Sequence, residues 1–129
     1  MPFRIGVDVL SIGKIRSAVE RRGDYFLRRA FTQGEILDCS RSSDPCPCLA
    51  GKFAAKEAVY KALRSCFELK LRWREIEVVT CGSGPSVKLN GRTAEDSARN
   101  GVEEIRVSIA HDLESGTAVA VAILEHRNA

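Results

Sequence analysis

At 129 residues, with 44% hydrophobic and 29% charged positions and a net charge of +3, the chain has the size and make-up of one globular domain spanning 1–129. It contains no Pro/Gly/Ser-rich linker, low-complexity run or solenoid-length repeat, which excludes disordered and repeat classes. The charge excess is too small to mark the whole chain as a nucleic-acid binder.

Phe3, Ile5, Val7 and Val9 alternate with Arg4, Gly6 and Asp8, a period of two that predicts a strand with one apolar face and Asp8 pointing away from it. Arg4 and Asp8 interrupt the apolar run, so neither a signal-peptide core nor a membrane span fits, and a cytoplasmic location is expected. Ser11 is placed to cap a helix through about Arg22, and Asp24 to Arg29 adds a further helical turn or two. Here Lys14, Arg16, Arg21, Arg22, Arg28 and Arg29 stand against Glu20 and Asp24, so this segment carries more than the chain's whole positive excess. A solvated helix face has the same pattern. Thr32-Gln33-Gly34-Glu35 has the form of a capping box and predicts a short helix to about Cys39. Arg41 to Cys48, with Ser42, Ser43, Pro45 and Pro47, reads as a loop.

Leu49 to about Cys66 is the clearest helix: Ala55, Ala58, Val59, Ala62, Leu63 and Cys66 recur at three- and four-residue steps as one apolar stripe. Glu57 lies nearly opposite, among Phe53, Tyr60, Lys61 and Arg64. Ile76 to Thr80 and Ser86 to Leu89 flank Gly82-Ser83-Gly84-Pro85 as a hairpin, and Thr93 to Asn100 before Gly101 reads as a short helix. Ile105, Val107 and Ile109 alternate with Arg106, Ser108 and Ala110, and after a turn at Asp112 to Gly116 the run Thr117 to Leu124 is apolar on both faces, as in a central strand. A strand, a long helical region and then mainly strands indicate a small α+β domain with an antiparallel sheet packed on a long helix.

Five cysteines, Cys39, Cys46, Cys48, Cys66 and Cys81, are an odd number without secretory context and predict reduced thiols rather than a disulfide framework. Cys46-Pro47-Cys48 is one residue short of a zinc knuckle, with no second pair or nearby His, so it reads as a loop with two thiols.

Three polar constellations remain: Asp8 at a strand end, Lys56-Glu57 with Lys61 on the long helix, and His111-Asp112 closing a strand. Singly they are a capping residue, a surface ion pair worth about 0.3–0.5 kcal/mol, and turn residues. Together they supply two hard carboxylates for Mg²⁺, a lysine for phosphate charge and a base, which is what transfer of a phosphate-linked group requires.

Ile5-Gly6-Val7-Asp8 is similar to the first motif of the phosphopantetheinyl transferases, and Phe53-Ala54-Ala55-Lys56-Glu57-Ala58-Val59-Tyr60-Lys61 resembles their most specific one, an aromatic followed by x-x-Lys-Glu-Ala-x-x-Lys. Phe31-Thr32 with Glu35, Leu49-Ala50-Gly51-Lys52, Gly84-Pro85 and Val107-Ser108-Ile109-Ala110-His111-Asp112 extend the resemblance over nearly the whole chain. The length matches the short holo-acyl-carrier-protein synthase branch, which implies a homotrimer with coenzyme A between neighbouring copies.

The resemblance implies Mg²⁺-dependent transfer of 4′-phosphopantetheine from coenzyme A to a serine of an apo acyl carrier protein. It makes Asp8 and Glu57 the metal ligands, and Lys61, Gly84, Pro85, Ser108 and His111 contacts of coenzyme A. Glu57, a metal-bound water or His111 oriented by Asp112 is the proton acceptor, with His111 favoured. Ala110 replaces the Ser usual before this His. Lys14, Arg16, Arg21, Arg22 and Arg28 are expected to meet an acidic helix of the carrier. Two alternatives stand: the same chemistry on a polyketide or nonribosomal-peptide carrier, and a non-enzymatic basic module binding an acidic protein or nucleic acid.

Overall fold

The computed structural model describes residues 2–127. Strand β1 (Phe3–Ser11) leads into helices α1 (Ile12–Arg22), α2 (Asp24–Ala30), α3 (Gln33–Cys39) and α4 (Cys46–Arg64). A 3₁₀ turn (Trp73–Glu75) is followed by β2 (Ile76–Cys81), β3 (Gly84–Leu89), α5 (Gly91–Arg99), β4 (Val102–Asp112) and β5 (Thr117–His126). The expected α+β arrangement is present: β1, β5 and β4 form an antiparallel sheet in that order, with α4 packed across it, while β2 and β3 pair separately. β5 is central, as expected, but only one of its two apolar faces is covered: Ala118, Ala120, Ala122 and Leu124 are buried, whereas Val121 and Ile123 are exposed.

The local signals act where the sequence puts them. Ser11 Oγ accepts from Gly13 N at 3.1 Å, and the capping box at Thr32 and Glu35 closes in both directions. α4 differs in starting at Cys46, inside the expected loop. Pro47 lies in its first turn, where a missing N–H leaves no hydrogen bond unmade, so the prolines that read as loop residues open the helix.

β1 alternates as expected, but its apolar side is the outward one. Phe3, Ile5, Val7 and Val9 are exposed, while Gly6 and Asp8 are buried against α4. The reason is size. α4 offers Ala54, Ala55, Ala58 and Ala62 to a sheet face built from Gly6, Ala118, Ala120 and Ala122, so helix and sheet come close. A Cβ on Gly6 would lie 2.0 Å from the Ala58 carbonyl oxygen. Leu63, Ile76, Val78 and Leu124 close the core around this contact, each side chain worth about 1.5–3 kcal/mol of burial.

The cysteine expectation is corrected. Cys39 and Cys48 are disulfide-bonded with Cα atoms 5.5 Å apart, leaving Cys46, Cys66 and Cys81 free. An odd count conceals one bonded pair among three thiols. Because α4 starts early, Cys48 sits on a helical first turn beside the buried end of α3, an adjacency that spacing alone does not reveal.

Candidate active site

Glu57 and Lys61 lie one turn apart on the side of α4 that meets β1, where the inward register places Asp8, which is not the expected strand-end residue but lies three residues inside a strand that continues to Ser11. Lys61 does not pair with Glu57 along the helix. Its Nζ donates to Asp8 Oδ1 at 3.0 Å and to the Val7 carbonyl at 3.1 Å. The Asp8 side chain is 9% exposed and that of Lys61 52%. Asp8 Oδ2 is buried with no hydrogen-bond partner among the described residues.

Glu57 feels this neighbour. Burial first, and then the Asp8 carboxylate, push its carboxyl up to about 7, with Lys61 acting in the opposite sense. Two carboxylates crowded together, one with an orphaned oxygen, are the donor set a hard divalent cation fits. Among the described residues no group of three or more His, Cys, Asp or Glu gathers for a metal, so Asp8 and Glu57 stand as two carboxylates alone. A cavity of about 390 Å³ opens beside it, lined by Glu57, Tyr60, Lys61, Arg64, Ser65 and Leu71.

His111 belongs to a different cavity, of about 330 Å³, with Cys48, Gly51, Lys52, Thr80, Pro85 and Ile109. Asp8 and Ile109 both face Ala120 of β5, and His111 lies two residues beyond Ile109. Two strand steps and two residues separate Asp8 from His111 by roughly 12 Å. Within one chain they do not converge. Asp112 does not orient His111: its Oδ1 accepts from Glu114 N at 3.3 Å, and bonding at Ser115 holds its carboxyl below the usual carboxylate range. The sheet pleat explains this, since consecutive residues of a strand point to opposite faces. By the same pleat Ser108 lies on the outward face, in line with Val121 and Val7, whereas Pro85 lines the His111 cavity and Gly84 starts β3 with φ of 122°.

Among the basic residues, Lys14, Arg21, Arg22 and Arg28 are exposed on α1 and α2. Arg16 is engaged already, its guanidinium forked onto Asp44 at 3.1 and 2.8 Å, which holds the Asp44 carboxyl low. The side chain expected to face a partner is taken by a local carboxylate.

Two lysines turn inward, which the sequence reading does not anticipate. Lys52 Nζ reaches Asp38 Oδ2 and the Val78 carbonyl, each at 2.7 Å, and Lys56 Nζ reaches Glu35 Oε1 at 2.6 Å. A signal was present: Lys52, Lys56, Val59 and Leu63 follow helical spacing along one buried strip.

The sequence matches the family model described as 4′-phosphopantetheinyl transferase superfamily over residues 4–122. It is 40% identical over 124 residues to a holo-[acyl-carrier-protein] synthase of Chlorobium limicola, covering 95% of each chain. The fold is similar to a structure described as a Chronobacterium ammoniagenes ACPS-CoA complex, with a TM-score of 0.83 at 28% identity over 98% of this chain and 99% of that one. It is also similar to the acyl carrier protein synthase of Mycobacterium tuberculosis, with a TM-score of 0.73 at 40% identity over 95% and 96%.

Proposed function

The chain belongs to the 4′-phosphopantetheinyl transferase superfamily, and from that membership and the geometry at Asp8 we infer how it acts as a holo-acyl-carrier-protein synthase. It moves 4′-phosphopantetheine from coenzyme A to a serine of an apo acyl carrier protein. The observation that carries the site reading is the buried, unpartnered Asp8 Oδ2 beside Glu57 and Lys61. These carboxylates would hold Mg²⁺, which when bound neutralises charge on the pyrophosphate. Lys61, half in solvent, swings from Asp8 to a phosphate oxygen. The serine oxygen attacks the β-phosphorus, the bond from that phosphorus to the bridging oxygen breaks, and adenosine 3′,5′-bisphosphate leaves with the electron pair. The serine proton passes to a base. Glu57 stands at the site, whereas His111 of the same chain is roughly 12 Å from Asp8 by strand geometry. A histidine acting here therefore comes from another copy, and the His111 cavity with Pro85 takes part of coenzyme A across that junction.

Intact-mass measurement of an apo acyl carrier protein incubated with the chain, coenzyme A and Mg²⁺, with and without EDTA, tests the reading. A phosphopantetheine mass gain abolished by EDTA supports it, and no gain on fatty-acid or polyketide carriers refutes it.

The outward sheet face supports the homotrimer. Ile5 pairs across to Ile123 and Val7 to Val121, all four exposed, with Phe3 and Val9 extending the patch. Contiguous apolar area of this kind marks an interface. Light scattering should give three times the chain mass, and Val7→Asp with Val121→Asp should reduce it to that of one chain; a monomeric parent contradicts the assignment.

Glu57 also predicts a pH effect. Its folded pKa is raised, so the protonated form contributes stability below the unfolded value, and this contribution is lost as pH rises through about 7. A divalent cation competes with that proton. Mg²⁺ should therefore raise the melting temperature more at pH 8 than at pH 6; equal shifts would mean that Glu57 is no ligand.

For the carrier, Arg21 and Arg22 at the end of α1 have no ion-pair partner among the described residues, while Arg16 is tied to Asp44. We expect Arg21→Glu with Arg22→Glu to raise the KM for carrier protein about tenfold and leave the KM for coenzyme A unchanged. Steady-state kinetics with each substrate varied in turn would expose an equal effect on both, the result that excludes docking through α1. The cytoplasmic location stays part of this proposal and must accommodate the Cys39–Cys48 bond, since cytoplasmic thiols are kept reduced.

A further inference from the structure

Three consecutive residues of α4 are anchored in three directions. Ala58 lies against Gly6, Glu57 meets Asp8, and Lys56 turns into the interior with no exposed surface. Lys56 Nζ is 2.6 Å from Glu35 Oε1 and 5.3 Å over the Phe31 ring. Glu35, equally buried, also accepts from Thr32 N at 2.8 Å and Val78 N at 2.7 Å. One carboxylate thus ties α4 to the start of α3 and to β2.

Stability does not account for placing an ion pair there. Desolvating both charges costs several kcal/mol per ion, and well-packed apolar residues in such positions are often at least as stable. What the pair adds is direction: Lys56 has one acceptor, itself fixed by two backbone N–H groups, so α4 has one rotation that keeps the contact. A rotation of about 20° at a side-chain radius of about 5–6 Å displaces the Glu57 carboxylate by about 2 Å. Misplacement of about 1 Å at a reacting centre can cost a hundredfold in rate.

We propose that Lys56, held by Glu35, is a positioning residue that sets the rotation of α4 and so aims Glu57 at Asp8 to form the cation site. This rests on the reading of Asp8 and Glu57 as the cation's ligands. The test is the neutral pair Lys56→Met with Glu35→Gln, in which the introduced amide oxygen still accepts a backbone N–H. Melting temperature establishes the range in which the variant is folded. Within it, Mn²⁺ binding is measured by electron paramagnetic resonance without substrates, and kinetics are taken separately.

The expected result is a Kd for Mn²⁺ at least tenfold weaker and a kcat about a hundredfold lower, with the KM for carrier protein unchanged. Mn²⁺ affinity and kcat equal to the parent's overturn the proposal, because a merely structural pair would move only the melting temperature. Should the double variant not fold, Glu35→Gln alone is read by the same two measurements. Asp8→Ala separates the layers. If it binds Mn²⁺ like the parent, the cation-site reading itself fails; if it loses binding while the neutral pair keeps it, only the role of Lys56 fails.

Discussion

Asp8→Ala should lower kcat on the order of a thousandfold while leaving the melting temperature within a few degrees of the parent's. The stability side follows from exposure. The partner freed by the substitution, Lys61, is 52% exposed, so its ammonium passes to water instead of being stranded. The lost Oδ2 makes no hydrogen bond among the described residues. The catalytic side follows from charge: stabilising the transferring group through a bound cation is worth several kcal/mol, and each 1.36 kcal/mol is tenfold in rate. Removing Asp8 also takes away a like charge that helps hold the Glu57 carboxyl at about 7, so that value should fall toward an ordinary carboxylate. Single-turnover rates beside thermal melts check both halves. Turnover near the parent's in both Asp8→Ala and Glu57→Ala would end the metal-ligand assignment.

Gly6→Ala should do almost as much damage by another route. The added methyl would meet the Ala58 carbonyl oxygen at 2.0 Å and the Ala62 nitrogen at 2.9 Å, both backbone atoms of α4. No rotamer change relieves this contact, so β1 must move away from the helix. Overpacking of this kind costs about 1–3 kcal/mol or more. For a domain of this size the melting temperature should drop by roughly 5–10 °C. The same movement draws Asp8 away from Glu57, so the stabilisation conferred by Mg²⁺ should largely disappear. Adding Ala58→Gly gives no rescue, because the obstacle is the carbonyl and not the side chain. Recovery of Mg²⁺ stabilisation in that double variant would show that the close approach does not position the site.

Much of the fold was legible in the sequence because its signals are local. The Ser11 cap, the Thr32–Glu35 box, the alanine stripe of α4 and the doubly apolar β5 each depend on spacing that a linear reading preserves. What stayed hidden depends on contact between distant segments. Alternation in β1 identifies two faces but not which is buried; a face of Gly6 and Asp8 looks like the solvent side until an alanine-rich helix needs a shallow surface. The same gap leaves Glu35 with only a capping role, although its carboxylate also holds Lys56 and Val78. His111 and Asp112 pair in a linear reading because they are adjacent, yet adjacency in a strand means opposite directions. The motif residues Asp8, Glu57 and Lys61 do converge in space, and Arg16 does not stay free.

The Cys39–Cys48 bond has a practical consequence for anyone handling the enzyme. Cys48 lines the cavity that holds His111, and the bond fastens the first turn of α4 to the end of α3. Material purified in air and material kept in dithiothreitol are therefore two chemical species that differ by two hydrogens at the wall of one cavity. A preparation containing both would give a thiol titre between three and five and, on the proposed reading of that cavity as part of the coenzyme A site, biphasic saturation with coenzyme A. Counting free thiols before the first kinetic run decides whether one enzyme or two is being measured.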